Sequence, residues 1–324
     1  MSKINGLHLY TEPWNGDPGA HRDTFIGGSD VGTILGVNPY KSAYQLYLEK
    51  TGEAPTEDIS SKLQVRLGHK MEQIVAELYT EQTGNKVNNS LKTYRCKEFP
   101  YLGGHIDRRI VGQRKGLEIK TTSSHNRSDY AEGEIPPSHY YQCLFYMLIT
   151  GWHDWDIATL RDNNGFYIVH VPWNEEEAEY MLERLQEFWE CVQNKKWTLP
   201  IDGLTSTASA LNKAYPESIE SKAIAIDAPG IDLETYFEAK STLKKLETLI
   251  NSVENNIKSC MQDAEHAIVA DTAKVTWKTY TRSGGYDIKK FIKEHPESGI
   301  EKYKKPDTTY RKFTLKAISG GEQG

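Results

Sequence analysis

A chain of 324 residues with 38% hydrophobic and 26% charged side chains is long enough for two domains. No apolar run approaches the length of a bilayer crossing, and residues 1–20 lack the apolar stretch of a secretory signal, so the chain reads as soluble and intracellular. The net charge of −6 divides into 21 Lys and Arg against 28 Asp and Glu over residues 1–204, and 18 against 17 over residues 205–324, which excludes a broadly basic nucleic-acid-binding surface.

Residues 1–22, rich in Gly, Pro and Asn, read as an irregular arm. Ile26-Gly27-Gly28-Ser29-Asp30 then opens an apolar helix over 31–35, with Ser29 at the N-cap and Asp30 in the first turn. Such a terminus attracts anions, and Arg22 lies seven residues before Ser29, so the pair is a candidate phosphate site; an ordinary cap beside a surface arginine fits the same spacing. Leu46, Tyr47 and Lys50 belong to a short helix ending near Gly52, and 53–61 is a polar loop. Over 63–82, Val65, Met71, Ile74, Val75 and Leu78 recur at helical spacing, and Gly84 supplies the stop. Glu72 lies beside that stripe, with Arg66, Gly68 and His69 one turn earlier.

Strands are expected over 92–96, 102–111 and 115–122. Pro136 and Pro137 start a helix carrying Tyr140, Tyr141, Gln142, Phe145, Tyr146 and Leu148, whose aromatic content reads as core, and which ends near Gly151. A hairpin over 155–161 and 166–171 and a helix over 175–195 complete an α/β unit of about 200 residues. Residues 198–229, enriched in Ser, Ala, Gly and Pro, read as a linker. The heptad-like series Leu243, Leu246, Ile250, Val253 and Ile257 predicts a long helix over 233–264, as a hairpin arm or coiled coil. Strands over 267–281 and 310–317 flank a basic helix over 287–293, whose lysines read as a solvated face or as phosphate contacts. Cys96, Cys143, Cys191 and Cys260 are scattered singly, which disfavours a zinc site or a disulfide framework and leaves core packing as their expected role.

One constellation carries chemistry. Glu118 and Lys120, in Leu117-Glu118-Ile119-Lys120, point to one face of a strand, and Asp107, in Gly103-Gly104-His105-Ile106-Asp107, arrives from its hairpin partner. Two hard carboxylates suit Mg²⁺, and a lysine beside them can position or deprotonate a metal-bound water for attack on a phosphodiester. An exposed amphipathic hairpin can hold the same residues by chance. The flanking Leu102, Ile106, Ile110, Leu117 and Ile119 instead place these strands against a core, where unpartnered carboxylates are costly.

The pattern resembles the catalytic core of PD-(D/E)xK nucleases, and residues 22–200 resemble the lambda-exonuclease-like, YqaJ-type viral recombinase family within them. Arg22 and Gly28-Ser29 fall where that family grips a DNA phosphate, Glu72 matches its helical acid, and Asp107, Glu118 and Lys120 match its triad. Gln142 matches the glutamine of its following helix; Asn38-Pro39-Tyr40 and Leu46-Tyr47 through Gly52 look like its N-terminal segment. Leu144 and His139 stand where the family often has a second glutamine and a tyrosine, and no cysteine cluster for iron–sulfur binding exists.

The resemblance implies an α/β (α+β) fold: a restriction-endonuclease-like core with a mixed central sheet flanked by helices over 1–200, a linker over 201–230, and a smaller C-terminal α+β region with a long helix over 231–324. It implies a Mg²⁺-dependent 5′-to-3′ exonuclease on linear double-stranded DNA, with Mn²⁺ as a substitute, leaving 3′ overhangs for a single-strand annealing protein of the RecT/beta type. Asp107, Glu118 and the Ile119 carbonyl would ligate metal, and Lys120 would activate water. Glu72 would hold a metal-bound water, Gln142 would steady Lys120, and Arg22 with Ser29 would take a phosphate. A ring-like homo-oligomer, a cytoplasmic location in a bacterial host of phage or prophage, and no membrane association also follow. An endonuclease on the same core and a non-catalytic DNA-binding module are the alternatives.

Overall fold

The computed structural model describes residues 4, 6–14, 22–56, 58–123, 134–162, 165–226, 231–270, 272–306, 308, 310, 312, 313 and 315. The chain divides into two units, residues 1–218 and 219–324.

The first unit is built on two sheets. β1 (Leu9–Pro13), β3 (Lys92–Cys96) and the two-residue β4 (Gly103–Gly104) form a small antiparallel sheet in the order β1-β3-β4. β2 (Val87–Asn89), β5 (Arg108–Ile110), β6 (Gly116–Thr122), β7 (Asp154–Arg161) and β8 (Gly165–Pro172) form the central sheet in that order. Its β6–β7 pair is parallel and the others antiparallel, so the sheet is mixed.

Helices α1 (Gly28–Ile34), α2 (Ala43–Lys50), α3 (Leu63–Thr83), α4 (Pro137–Thr150), α5 (Glu175–Asn194) and α6 (Thr205–Ala214) flank these sheets. α3 covers one face: Val75, Ala76 and Tyr79 pack on Ile110, Leu117, Ile119 and Ala158. α4 covers the other and is buried from Gln142 through Thr150, as a helix apolar on most sides must be. It starts with Pro137 and stops at Gly151, whose φ of 66° is the left-handed cap that glycine adopts without steric penalty. With helices on both faces, β6 is buried from Gly116 through Ile119.

The helices over 63–82, 136–151 and 175–195, and the strands over 92–96, 115–122 and the 155–171 hairpin, form within a residue or two of their expected bounds. Other segments correct the sequence reading. The arm contains β1, which pairs with β3 across about 80 residues of sequence and so is invisible to local pattern. The expected strand over 102–111 is two: β4 belongs to the small sheet and β5 to the central one, and the chain crosses between them at His105, Ile106 and Asp107. The N-cap of α1 is Gly27 rather than Ser29, because the Asp30 carboxylate folds back to accept the Gly27 N–H at 3.1 Å. Lys50 locks that turn, reaching Asp30 at 3.0 Å and the Phe25 carbonyl at 2.7 Å. Within the expected linker lies α6, whose Thr207 and Ala210 are buried, so residues through 218 belong to the first unit.

In the second unit, α7 (Leu233–Met261) begins at the Asp232 cap, and its Leu243, Leu246, Ile250 and Val253 are half exposed. The strand expected over 267–281 is a hairpin of β9 (His266–Val269) and β10 (Ala273–Thr276), turned by Ala270 at a φ of 48°. α8 (Ile288–Glu294) is the basic helix, capped by Asp287. The strand expected over 310–317 falls largely outside the described residues, and its described positions have no regular structure. Cys96, Cys143 and Cys191 are buried, whereas Cys260 on α7 is exposed and not a core residue. Among the described residues no helix is long and apolar enough to cross a membrane.

Candidate active site

Asp107 sits where the chain leaves the small sheet for the central one. The β5–β6 register pairs Arg108 with Leu117, so the next rung would place Asp107 opposite Glu118. There the backbone ladder gives way to a side chain: Asp107 Oδ2 accepts the Ile119 N–H at 2.8 Å. The carboxylate is thereby fixed to β6 at the level of Glu118.

Glu118 and Lys120 share a face of β6 and touch, with Lys120 Nζ 2.6 Å from Glu118 Oε1. Lys120 also donates to Gln142 Oε1 on α4 at 3.0 Å, and Gln142 Nε2 donates to the Tyr146 hydroxyl at 3.2 Å. From the other side α3 brings Glu72, held by His69 at 3.2 Å and by Arg108 at 3.6 Å. The Arg108 guanidinium also bonds the Asp107 carbonyl at 2.8 Å, tying that acid's backbone to the α3 carboxylate. These groups, with Gly28 and Ser29 at the start of α1, line one cleft of about 460 Å³.

Its electrostatics are under tension. Burial and then the Glu118 charge push Asp107 up to about 8, against the opposing pull of Lys120 and the Ile119 N–H. Burial, with Lys120 adding to it, holds His139 down at about 3, so that imidazole is neutral. Burial first, then Glu118 and Asp107, raise the Tyr146 phenol well above its ordinary value and keep its proton in place.

Glu118 is 1% exposed, and its Oε2 is a buried oxygen without a hydrogen-bond partner among the described residues. A buried carboxylate oxygen left unpaired, next to a second carboxylate that resists ionisation, is a donor set that a hard divalent cation satisfies. The residues present therefore fit a metal of the Mg²⁺ or Mn²⁺ kind. A second acidic group, Asp154, Asp156 and His170, brings ligand atoms within 4.8 Å of one another. It points to the α3 face, opposite Glu118, and Lys115 already neutralises it at 3.0 and 2.8 Å, while the Tyr79 hydroxyl donates to Asp156 at 2.6 Å. Lys115 thus partners that group with a cation, although its Asp154 Oδ1, like Glu118 Oε2, has no hydrogen-bond partner among the described residues.

Of the residues singled out from sequence, the cleft unites Ser29, Glu72, Asp107, Glu118, Ile119, Lys120 and Gln142. Arg22 begins a short 3-10 turn, Arg22–Thr24, and its side chain lies outside the described residues. Sequence reasoning missed Arg108 and Tyr146 as site residues. The signal for Tyr146 was its position four after Gln142, on one helix face. Two glycines make room for its ring: a Cβ on Gly28 would meet Tyr146 at 2.6 Å and one on Gly104 at 3.1 Å.

A mixed sheet with helices on both faces, carrying an Asp and a Glu-x-Lys at adjacent rungs, is the PD-(D/E)xK nuclease core. Residues 19–153 match the YqaJ-like viral recombinase domain. Over 297 residues the chain is 31% identical to YqaJ of Bacillus subtilis (strain 168), an uncharacterized protein, spanning 91% of this chain and 92% of that one. The chain belongs to the YqaJ family. Among solved structures it resembles the alkaline exonuclease LHK-Exo from Laribacter hongkongensis at 15% identity and a TM-score of 0.45, covering 54% of this chain and 90% of that one. It also resembles the phage related exonuclease from Haemophilus somnus 129PT at 10% identity and a TM-score of 0.39, covering 53% and 96%.

Proposed function

We propose that this protein is a divalent-metal-dependent exonuclease that degrades the 5′ strand of linear double-stranded DNA and leaves 3′ single-stranded overhangs. The observation that carries the reading is the meeting of Asp107, Glu118 and Lys120 in one cleft, with Lys120 held between Glu118 and Gln142. Membership of a viral recombinase family supports a nuclease role in recombination.

In this mechanism Asp107, Glu118 and the Ile119 carbonyl would hold Mg²⁺, or Mn²⁺ in its place, and such a metal would supply Lewis acidity at the scissile phosphate and lower the pKa of water there. Lys120 orients the attacking water and offsets charge developing on the phosphorane oxygens, and Gln142 fixes the ammonium in that position. Glu72 would hold a metal-bound water by accepting its hydrogen bond. Ser29, at the start of α1, would take a substrate phosphate, and so would Arg22, whose side chain lies outside the described residues. The reading extends to cytoplasmic action in a bacterial host of a phage or prophage, to assembly as a ring-like homo-oligomer, and to delivery of the overhang to a single-strand annealing protein of the RecT/beta type. Residues 231–324 act as an accessory domain in that scheme.

End-labelled linear duplex, with 5′-phosphate or 5′-hydroxyl ends, and a covalently closed circle test it together in Mg²⁺ and in EDTA. The expected result is metal-dependent loss of the 5′ strand from linear DNA alone, faster with a 5′-phosphate. Cutting of the circle would assign an endonuclease, and binding without cleavage under either metal would remove the enzyme reading.

A further inference from the structure

α7 carries a long apolar row that stands open. From Tyr236 to Cys260 the row steps alternately by three and four residues, the period that keeps one seam of a 29-residue helix facing a second helix. At its centre Leu243 is 49% exposed, Leu246 51%, Ile250 57% and Val253 53%, and Leu249 beside them is 61% exposed. A contiguous apolar stripe marks an interaction surface, and a helix in a protein gains most of its stability from covering one. Among the described residues the second unit holds no other helix long enough to cover the row, since α8 has 7 residues. The row spans roughly three and a half heptads, the length at which a coiled coil forms.

We propose that α7 joins two copies of this chain as an antiparallel coiled coil, about a two-fold axis at Thr248. The order of side chains along the row selects this arrangement. In it Leu246 meets the second copy's Ile250, Leu243 its Val253, Ala239 its Ile257 and Tyr236 its Cys260, so the smallest and largest groups face each other. A parallel pair would set Ala239 against Ala239 and Tyr236 against Tyr236, a void beside a crowded layer. Charge agrees with shape. The antiparallel register brings Lys240 to the second copy's Glu254, twice by symmetry, whereas the parallel one pairs no opposite charges across the seam. Glu254 already meets Lys258 at 3.3 Å on its own helix and would then sit between two cations. Glu247 meets its own copy at the axis, an exposed like-charge contact that salt screens. A self-complementary surface of this kind joins chains in twos. Nothing in it depends on the catalytic cleft, so it stands whether or not the nuclease reading does.

The test is analytical ultracentrifugation of the full chain, as wild type and as Leu246→Glu/Ile250→Glu at the layers beside the axis, followed by cysteine cross-linking. The wild type is expected at an even multiple of the chain's mass and the variant at half of it, with far-UV circular dichroism unchanged because both side chains are exposed. Under mild oxidation Leu249→Cys/Cys260→Ser is expected to give a disulfide-linked dimer, its two thiols meeting at the axis. The wild type is expected to give none through its exposed Cys260, whose two copies lie roughly 35 Å apart along the axis. A monomeric wild type, or a wild-type mass that the two glutamates leave unchanged, overturns the proposal and assigns the row to a contact within the chain. A Cys260 cross-link in the wild type with none at position 249 overturns the antiparallel pairing. If the glutamates disturb the fold, the cross-linking pair decides alone.

Discussion

Asp107 in the cleft and His139 on α4 give the protein opposite responses to pH. The folded-state value of Asp107, about 8, lies above its ordinary 3.8, so between those values the folded chain binds more protons than the unfolded one. Stability of the metal-free protein therefore falls as pH rises from about 4 to about 8. His139 is depressed from 6.5 to about 3, so the unfolded chain binds the extra proton and stability falls as pH drops through that window. Thermal melts in EDTA should show that Asp107→Asn flattens the alkaline loss and His139→Gln the acid loss; unchanged pH profiles would refute the assignments. Mg²⁺ should recover the alkaline loss in the wild type and not in Asp107→Asn. On the proposed mechanism, Lys120→Ala should lower kcat by about 10²–10⁴-fold while leaving DNA affinity in EDTA within a few fold.

At the level of elements, the contact of α1 with α4 depends on a missing side chain. Gly28→Ala drives a methyl to 2.6 Å from the Tyr146 ring, which anchors Gln142, so the variant should lose about 1–3 kcal/mol in urea unfolding. Gly203→Ala, with nothing within 4 Å, is the matched control. Elements defined by local signals were legible in the sequence: α3 and α4 by their apolar repeat and their glycine stops, β6 through β8 by alternation. The pairing of Glu118 with Lys120 followed from strand period alone. What was not legible depends on distant partners. Nothing in Gly103 through Ile110 distinguishes one strand from two, because the break comes from pairing with β3 on one side and with β2 and β6 on the other. The cap of α1 was misread for a similar reason, since Asp30 is held by Lys50 from the next helix. Arg108 escaped notice because its value to the site lies in reaching α3, a contact between remote segments.

For the whole molecule, the division after Ser218 falls within the linker expected over 201–230, and α6 joins its first part to the first unit. α6 packs on α2, and its Ala210 and Leu211 join the main core around Tyr44, Tyr47 and Trp197. A fragment of residues 1–218 should unfold cooperatively in urea, whereas a fragment of residues 1–200 should be less stable by about 2 kcal/mol or more, from the apolar surface it uncovers. Equal midpoints and slopes for the two would place the boundary back at residue 200.

Because Asp107 lies on the passage between two sheets, no half of the first unit contains the whole cleft. The small sheet must form to hold Gly103–Gly104, the central sheet to hold Glu118 and Lys120, and α4 must dock to supply Gln142. Completion of the cleft is thus a late event in folding, gained only when contacts remote in sequence close. Hydrolysis would serve as a clock for that last docking step during refolding. A nascent chain would lack a complete cleft until residue 142 and beyond had left the ribosome.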